Sequence, residues 1–393
     1  MSSPVKIAAI ITAYFPRSHA DVIVTKFLKG FPTDGGLLPP EVEIVSMYLD
    51  QVHERDIGLA LAEQHGVPRY QSIPQALTLG GKELAVDGVL LVGEHGDYAW
   101  NEKEQHLYPR KFFFEQICGV FATSGRSVPV FSDKHLSYNW HDARWMYDRA
   151  RELGVPFMAG SSLPLAWRKP WLEYEQGTPV EAALSVAYGG LDSYGFHGLE
   201  TLQCMVERRR GGESGIAAVQ CLEGDAVWES EHLDGELMAA AVEHIDDKKE
   251  GAAREHCEKP ALYVLEYADG LRAGTLMLGG YMKGWGFAAR RDGAVEGMRV
   301  FLPDNPHAHF SYLGLNAQRM FLTGQPQYPV ERTLLIAGAL EALLDSRHQG
   351  GVRLETPHLD VAYTSYDTMP LRPTGADPAG ASLVPLEGVP EPK

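Results

Sequence analysis

The chain has 393 residues, 35 Lys+Arg against 52 Asp+Glu, a formal net charge of −17, 15 His and 4 Cys. At about 150 residues per domain this length predicts two or three domains, each able to bury a core without disulfide or metal staples. The acidic balance excludes a protein built to grip a nucleic-acid backbone or an anionic membrane surface, because both need a basic face.

Cys118, Cys204, Cys221 and Cys257 form no C-x-x-C pair, so they give neither a cysteine zinc module nor a disulfide framework. The reading is four inert thiols in a reducing compartment. Met1–Lys6 is short and polar, and the apolar run Ile7–Ile11 is too short for a signal core. No stretch approaches the 18 apolar residues of a membrane span. A cytoplasmic location is expected.

In chain order, Val5–Ile11 is a continuous apolar run of the kind buried on both faces of a parallel sheet. Asp21–Leu28 has helical spacing, and Val42–Met47 is a second strand. Ile57–Gln64 is a helix stopped by Gly66 and Pro68. Val86–Val92 is a third strand, Phe112–Thr123 a helix and Val128–Phe131 a fourth strand. The amphipathic helix Asp142–Leu153 and the strand Val155–Ala159 complete the series. Alternating strands and helices predict a parallel sheet, with its site at the carboxyl ends of the strands.

From Ser161 the pattern changes. Val180–Tyr188, Gly215–Cys221, Ala261–Tyr267 and Leu271–Leu278 are the strands of an antiparallel sheet, the last two forming a hairpin through Tyr267–Gly270. Helices are predicted at Gly198–Arg210, Gly235–Glu250 and Pro329–Ser346. Thr364–Lys393 contains six prolines and little periodicity, which predicts an extended arm or disordered tail. The division is a Rossmann-like domain (1–160), an α+β domain (161–362) and a proline-rich tail (363–393).

This order of elements resembles the Gfo/Idh/MocA superfamily, in which a Rossmann domain precedes an α+β domain with an open, largely antiparallel sheet. Four segments within residues 5–362 carry the resemblance. Ser127–Leu136 stands where that family has a strand running into Glu-Lys-Pro, and Ala143–Gly160 resembles the helix and strand that follow. Gly195-Phe-His-Gly-Leu-Glu200 is similar to the family's Gly-x-His-x-x-Asp, and Arg332–Arg353 to its closing helix and short strand. The resemblance implies an NAD- or NADP-dependent oxidoreductase acting on a sugar or polyol-like small molecule. It also implies a homo-oligomer, dimer or tetramer, paired through the open sheet.

The sequence departs from the family at the fingerprint G-x-G-x-x-G, replaced here by Thr12-Ala-Tyr14-Phe-Pro-Arg17. Tyr14 would crowd a pyrophosphate. Either Arg17 binds a phosphate with its guanidinium fork, or the pocket is altered and NAD is no longer a redox cofactor. Asp50 stands where an acid takes the ribose hydroxyls, or is a strand-end cap. Thr12, Tyr14, Arg17, Asp50, Glu94 and Asp133 are thus the residues implied to face a dinucleotide. The segment Gly93–Arg110, with Glu94, His95, Asp97, Asn101, Glu102 and His106, lies over the site or is a solvated loop.

Lys134 matches the family's catalytic lysine and His197 its acid/base histidine, with Glu200 on the same helical face able to orient it. Each also has a plain reading, as a surface charge or a structural side chain. Trp167 and Arg168, with His95, are the candidate substrate contacts, since planar faces beside fixed cations suit a sugar or an acid. Tyr281–Gly286 is a similar turn, and either could be interface packing. His95, Asp133, His135 and His197 could instead hold a divalent metal, which would make the chain a redox-silent lyase, hydrolase or isomerase. His307 and His309 form a turn first and a ligand pair second. A third class is a binding protein that only keeps the scaffold.

Overall fold

The computed structural model describes residues 4–386. Its first unit begins with β1 (Val5–Ala13), α1 (His19–Lys29), the hairpin β2 (Phe31–Thr33) and β3 (Gly36–Leu38), β4 (Val42–Gln51) and α2 (Gly58–Gln64). It continues with β5 (Arg69–Tyr70), α3 (Ile73–Thr78), β6 (Gly88–Val92), α4 (Arg110–Ser124), β7 (Val130–Asp133), α5 (Trp140–Glu152) and β8 (Phe157–Gly160). Six of these strands form a sheet of order β5-β4-β1-β6-β7-β8 in which every pairing is parallel. β1 and β6 are buried on both faces, as their unbroken Ile/Ala and Val/Leu runs require. Chain order reverses between β1 and β6, so the crevice above their carboxyl ends is the topological switch point.

The second unit holds β9 (Trp167–Lys169), β10 (Ala182–Ala187), α6 (Ser193–Val206), β11 (Ile216–Glu223), α7 (Asp225–Glu229) and α8 (Gly235–Glu243). It goes on through β12 (Ala261–Tyr267), β13 (Arg272–Met277), β14 (Trp285–Arg291), β15 (Ala294–Phe301), α9 (His309–Thr323), α10 (Glu331–His348) and β16 (Leu354–Glu355). Eight strands pair in the order β16-β11-β12-β13-β10-β14-β15-β9. All neighbours are antiparallel except β10 and β13, which run parallel. The expected hairpin through Tyr267–Gly270 is β12–β13.

Several expectations are corrected. α6 starts at Ser193 rather than Gly198, so His197 lies within the helix. α8 ends at Glu243, seven residues before the expected Glu250. β14, β15 and α9 had no counterpart in the sequence reading. α9 packs on the first sheet, where Leu313, Met320 and Phe321 join Ile7, Phe27 and Phe31 in one cluster.

The sheet face expected to pair with a second copy is covered by the chain's own segment. Leu184, Val186, Leu262, Val264 and Leu276 pack there against Val227 of α7 and Leu237 and Ala241 of α8. α8 lies so close that a Cβ on Gly286 would stand 2.0 Å from the Ala241 carbonyl oxygen, and one on Gly297 2.5 Å from that of Ala240. The physical reason for a face-to-face pair is therefore removed.

The tail is an ordered strap as far as residue 386; its last seven residues, 387–393, lie outside the described residues. It runs from the second unit back to the first. Ser365 donates to Glu207, Arg372 pairs with Glu173, Asn316 meets both backbone groups of Leu371, and the Ala379 amide donates to Asp34.

Two outcomes are expected. Light scattering at micromolar concentration should give the mass of one chain, and a stable dimer through the α8 face would contradict it. Asn316 has no exposed surface and bonds the Leu371 carbonyl and amide at 2.7 and 2.9 Å. Asn316→Ala should therefore lower stability by about 1–3 kcal/mol in denaturant unfolding, the cost of leaving buried polar groups unpaired.

Candidate functional site

A cavity of about 580 Å³ opens at the switch point, between the ends of β1, β6 and β7 and the start of α6. Arg17, Glu94, His95, Lys134, His135 and His197 line it together, although they span 181 positions of sequence. The size is ordinary for a small-molecule site. Arg17, His95, Lys134 and His307 on its wall have φ of 68°, 70°, 63° and 53°. Left-handed backbone at side-chain-bearing residues is strained, and such strain concentrates at functional sites.

Glu94 is the anionic centre. It follows β6 by two residues, is 4% exposed, and meets the Lys134 ammonium at 2.9 Å and the Arg110 guanidinium on its other oxygen. Burial alone would raise its pKa, but Lys134 and Arg110 hold the carboxyl well below the usual carboxylate range. Arg110, the first residue of α4, has no exposed surface and also approaches His135 Nε2 at 3.4 Å. Lys134 is fixed from behind, since its backbone amide donates to the Gly160 carbonyl at 3.0 Å. The Lys134 side chain lines the cavity.

Four cavity histidines have their pKa lowered by a shared cause. Burial pushes His95 down to about 4, with His19 adding to the shift. His197 is lowered well below its ordinary value by burial, then by Lys134 and His19. Burial also lowers His135 and His309, with Arg110 and His307 as the next causes. His197 is carried by α6, which Gly195 and Gly198 allow to lie against the second sheet. A Cβ on Gly198 would stand 2.6 Å from Thr275 Cγ2. The glycines that flank the histidine in the sequence are packing residues.

The pyrophosphate turn does not fit a dinucleotide held in the usual way, which needs free main-chain N–H groups. Here four of them are spent internally. The Phe15 amide donates to Ser18 Oγ at 3.2 Å, Arg17 to Asp21 Oδ2 at 2.8 Å, Ser18 to the Phe15 carbonyl at 2.9 Å and Asp21 to Ser18 Oγ at 3.3 Å. Tyr14 does not crowd this turn as expected. It is buried in the core, with its hydroxyl 2.7 Å from Thr25 Oγ1 and its ring against Gly58. Thr12 Oγ1 donates to the Glu94 carbonyl at 2.7 Å and is also buried. Asp50 accepts the Tyr48 and Tyr98 hydroxyls at 2.6 and 2.7 Å, one on each oxygen. The crevice between β1 and β4 is further bridged by Phe15 stacked on His53 at 4.2 Å.

Other expected site residues serve the fold. Trp167 is fully buried and donates to Asp34 at 3.0 Å. Arg168, 1% exposed, pairs with Glu173 at 2.7 Å. Neither lines the cavity, because both lie within β9, on the edge of the second sheet. Glu200 does not meet His197. It accepts the Ser161 amide at 3.1 Å and the Ser161 hydroxyl, securing the turn after β8. The metal set is not assembled: among the described residues no three His, Cys, Asp or Glu side chains are grouped to hold an ion. Asp133 is taken by His19 at 2.6 Å, while His135 faces the Arg110 cation. His307 and His309 line the cavity, with rings 6.1 Å apart.

The sequence reading missed His19 and passed over Asp192. Asp192 is 8% exposed, accepts the His106 amide at 3.2 Å, and keeps Oδ1 without a partner; burial raises its pKa. It also missed two aromatic pairs of the cavity lining, Tyr194 stacked on Trp285 at 5.7 Å and Trp100 stacked on His106 at 4.2 Å.

The lowered histidines link stability to pH. A histidine neutral in the fold but protonated when unfolded makes unfolding take up a proton below about pH 6.5, so stability is full above that pH and lost as pH falls toward the folded value. Denaturant unfolding should weaken steeply from pH 6.5 to pH 4. His95→Gln, in which no proton is taken up at this position, should flatten the slope; an unchanged slope would contradict the burial of a neutral His95.

No protein-family model and no curated protein matches this sequence. Among solved structures the chain is similar to GenD2 from gentamicin A biosynthesis in complex with NAD, with TM-score 0.56 and 15% identity over 90% of this chain and 97% of that one. It is similar to myo-inositol 2-dehydrogenase from Lactobacillus plantarum, with TM-score 0.54 and 10% identity over 90% and 99%. It is also similar to aldose-aldose oxidoreductase from Caulobacter crescentus complexed with glycerol, with TM-score 0.50 and 13% identity over 89% and 99%. The chain has the two-unit fold of Gfo/Idh/MocA-type dehydrogenases.

Proposed function

We propose that the chain is an enzyme acting on a sugar- or polyol-like small molecule by proton transfer at Lys134 and His197, without a dinucleotide in the usual place. The observation that carries this reading is the turn after β1, whose amides are consumed by Ser18, Asp21 and Phe15. The fold, shared with dehydrogenases of inositol and aldoses, supports the substrate class. In the cavity the Lys134 ammonium offers hydrogen bonds to a substrate oxygen and stabilises negative charge on it. His197, kept neutral, exchanges a proton with a neighbouring hydroxyl. The aromatic pairs of the lining suit the apolar face of a ring.

A second reading keeps an NAD- or NADP-dependent oxidoreductase. The specific observation in its favour is that the Arg17 side chain lines the same cavity, where it could take a phosphate in place of the main chain.

Thermal shift separates the two. Under the first reading, NAD and NADP at millimolar concentration leave the melting temperature unchanged, while a panel of polyols and their ketones contains ligands that raise it by mass action. Saturable stabilisation by either nucleotide, with a change in nicotinamide fluorescence, would overturn the first reading. With any turned-over substrate, Lys134→Met and His197→Ala should each cost about 10²–10⁴ in turnover. The double variant should be little worse than the poorer single one, as for groups acting on one proton.

A further inference from the structure

We propose that His19, oriented by Asp133, is the general base of this cavity, removing a proton from a substrate carbon next to a carbonyl group. The inference rests on the proton-transfer reading and adds the residue that accepts the proton. His19 opens α1, beyond β1, and Asp133 ends β7. Their contact, Nδ1 to Oδ2 at 2.6 Å, crosses above β6, the strand between β1 and β7. The dyad therefore straddles the switch-point crevice.

The bond fixes the chemistry of the ring. A carboxylate can only accept, so Nδ1 carries a proton, and in the neutral ring the lone pair is on Nε2. Asp133 has no exposed surface and its Oδ1 has no partner, so among the described residues His19 is its side-chain partner. The His19 side chain keeps 14% exposure and lines the cavity, braced by His95 and Phe310 with ring centroids at 5.3 and 5.4 Å. A carboxylate behind an imidazole holds its tautomer and stabilises the imidazolium formed when it takes a proton.

No other cavity imidazole has this support. His197 Nδ1, His95 Nε2 and His309 Nδ1 are buried without partners. Burial disfavours the charged form of all three, and Lys134 opposes a charge on His197 as well. They suit hydrogen bonding and transient proton exchange with a hydroxyl as neutral rings, and suit poorly a step in which a proton taken from carbon is held as a cation.

The step balances without a further reagent. The C–H bond next to the carbonyl breaks and its proton goes to His19 Nε2. The C–H electron pair becomes the carbon–carbon double bond of an enolate, and the carbonyl π pair moves onto oxygen. That oxygen takes its hydrogen bond from the Lys134 side chain, which Glu94 holds in place. Return of the proton completes an exchange, an epimerisation or an isomerisation. Asp133 is a positioning residue here and His19 the catalytic one.

The test incubates the full chain in deuterium oxide with ketone probes, an inosose and fructose, and reads deuterium uptake by mass spectrometry. The wild type should exchange a hydrogen next to the carbonyl. His19→Gln should lose about 10²–10⁴ of that rate, and free imidazole should restore exchange to His19→Ala. Asp133→Asn should lose a comparable factor, and ¹⁵N spectra should show the Nδ1-protonated His19 ring of the wild type replaced by the other tautomer. If Asp133→Asn fails to fold, the His19 variants and imidazole rescue decide alone. Exchange by the wild type that persists within threefold in His19→Gln would overturn the dyad and leave the proton-transfer reading standing. No exchange by the wild type with either probe, together with nucleotide stabilisation, would overturn that reading and the dyad with it.

Discussion

A buried carboxylate clamped between two cations organises this cavity. Glu94, Lys134 and Arg110 come from the ends of three successive elements, β6, α4 and β7, and each would be costly to bury alone. Removing Glu94 costs about 3–5 kcal/mol, because it leaves two buried cations uncompensated. One anion against two cations leaves a local positive excess inside a chain of net charge −17. Burial is the main cause that lowers the neighbouring imidazoles, with Lys134 adding to it at His197 and Arg110 at His135, and the excess makes the cavity receptive to negative charge developing on an oxygen.

Much of the first sheet was legible because buried parallel strands need unbroken apolar runs, and Val5–Ile11 and Val86–Val92 are such runs. β14 and β15 escaped notice because Gly286, Gly297 and the pair Arg290–Arg291 interrupt their alternation. The two glycines are there for α8, which touches the sheet too closely to allow a Cβ. α9 escaped because its buried face includes the polar Ser311, Asn316 and Gln318, which interrupt the apolar pattern.

At the site, position in the fold was the readable signal. Lys134 follows a strand end, and His197 sits in a glycine-flanked segment at the matching place. Pairing was not readable. His19 meets a partner 114 residues away, and nothing local marks either residue as half of a dyad. The stretch Trp167–Trp171 misled for the opposite reason. An aromatic beside an arginine looks the same in sequence whether it greets a ligand or closes a buried ion pair with Glu173, and only burial distinguishes them.

The placement of α9 bears on how the chain reaches this structure. The first sheet's core is completed by residues 313–321, which emerge from the ribosome long after β1 and α1. Gly88 and Gly314 show how tight the closure is: a Cβ on the first would stand 2.7 Å from Phe321 and one on the second 2.6 Å from Phe31. Nascent chains usually fold unit by unit from the amino end. Here the leading unit must wait, with Ile7, Phe27 and Phe31 uncovered, until most of the following unit has been synthesised. The core of the first unit is therefore closed by a segment that belongs, in chain order, to the second.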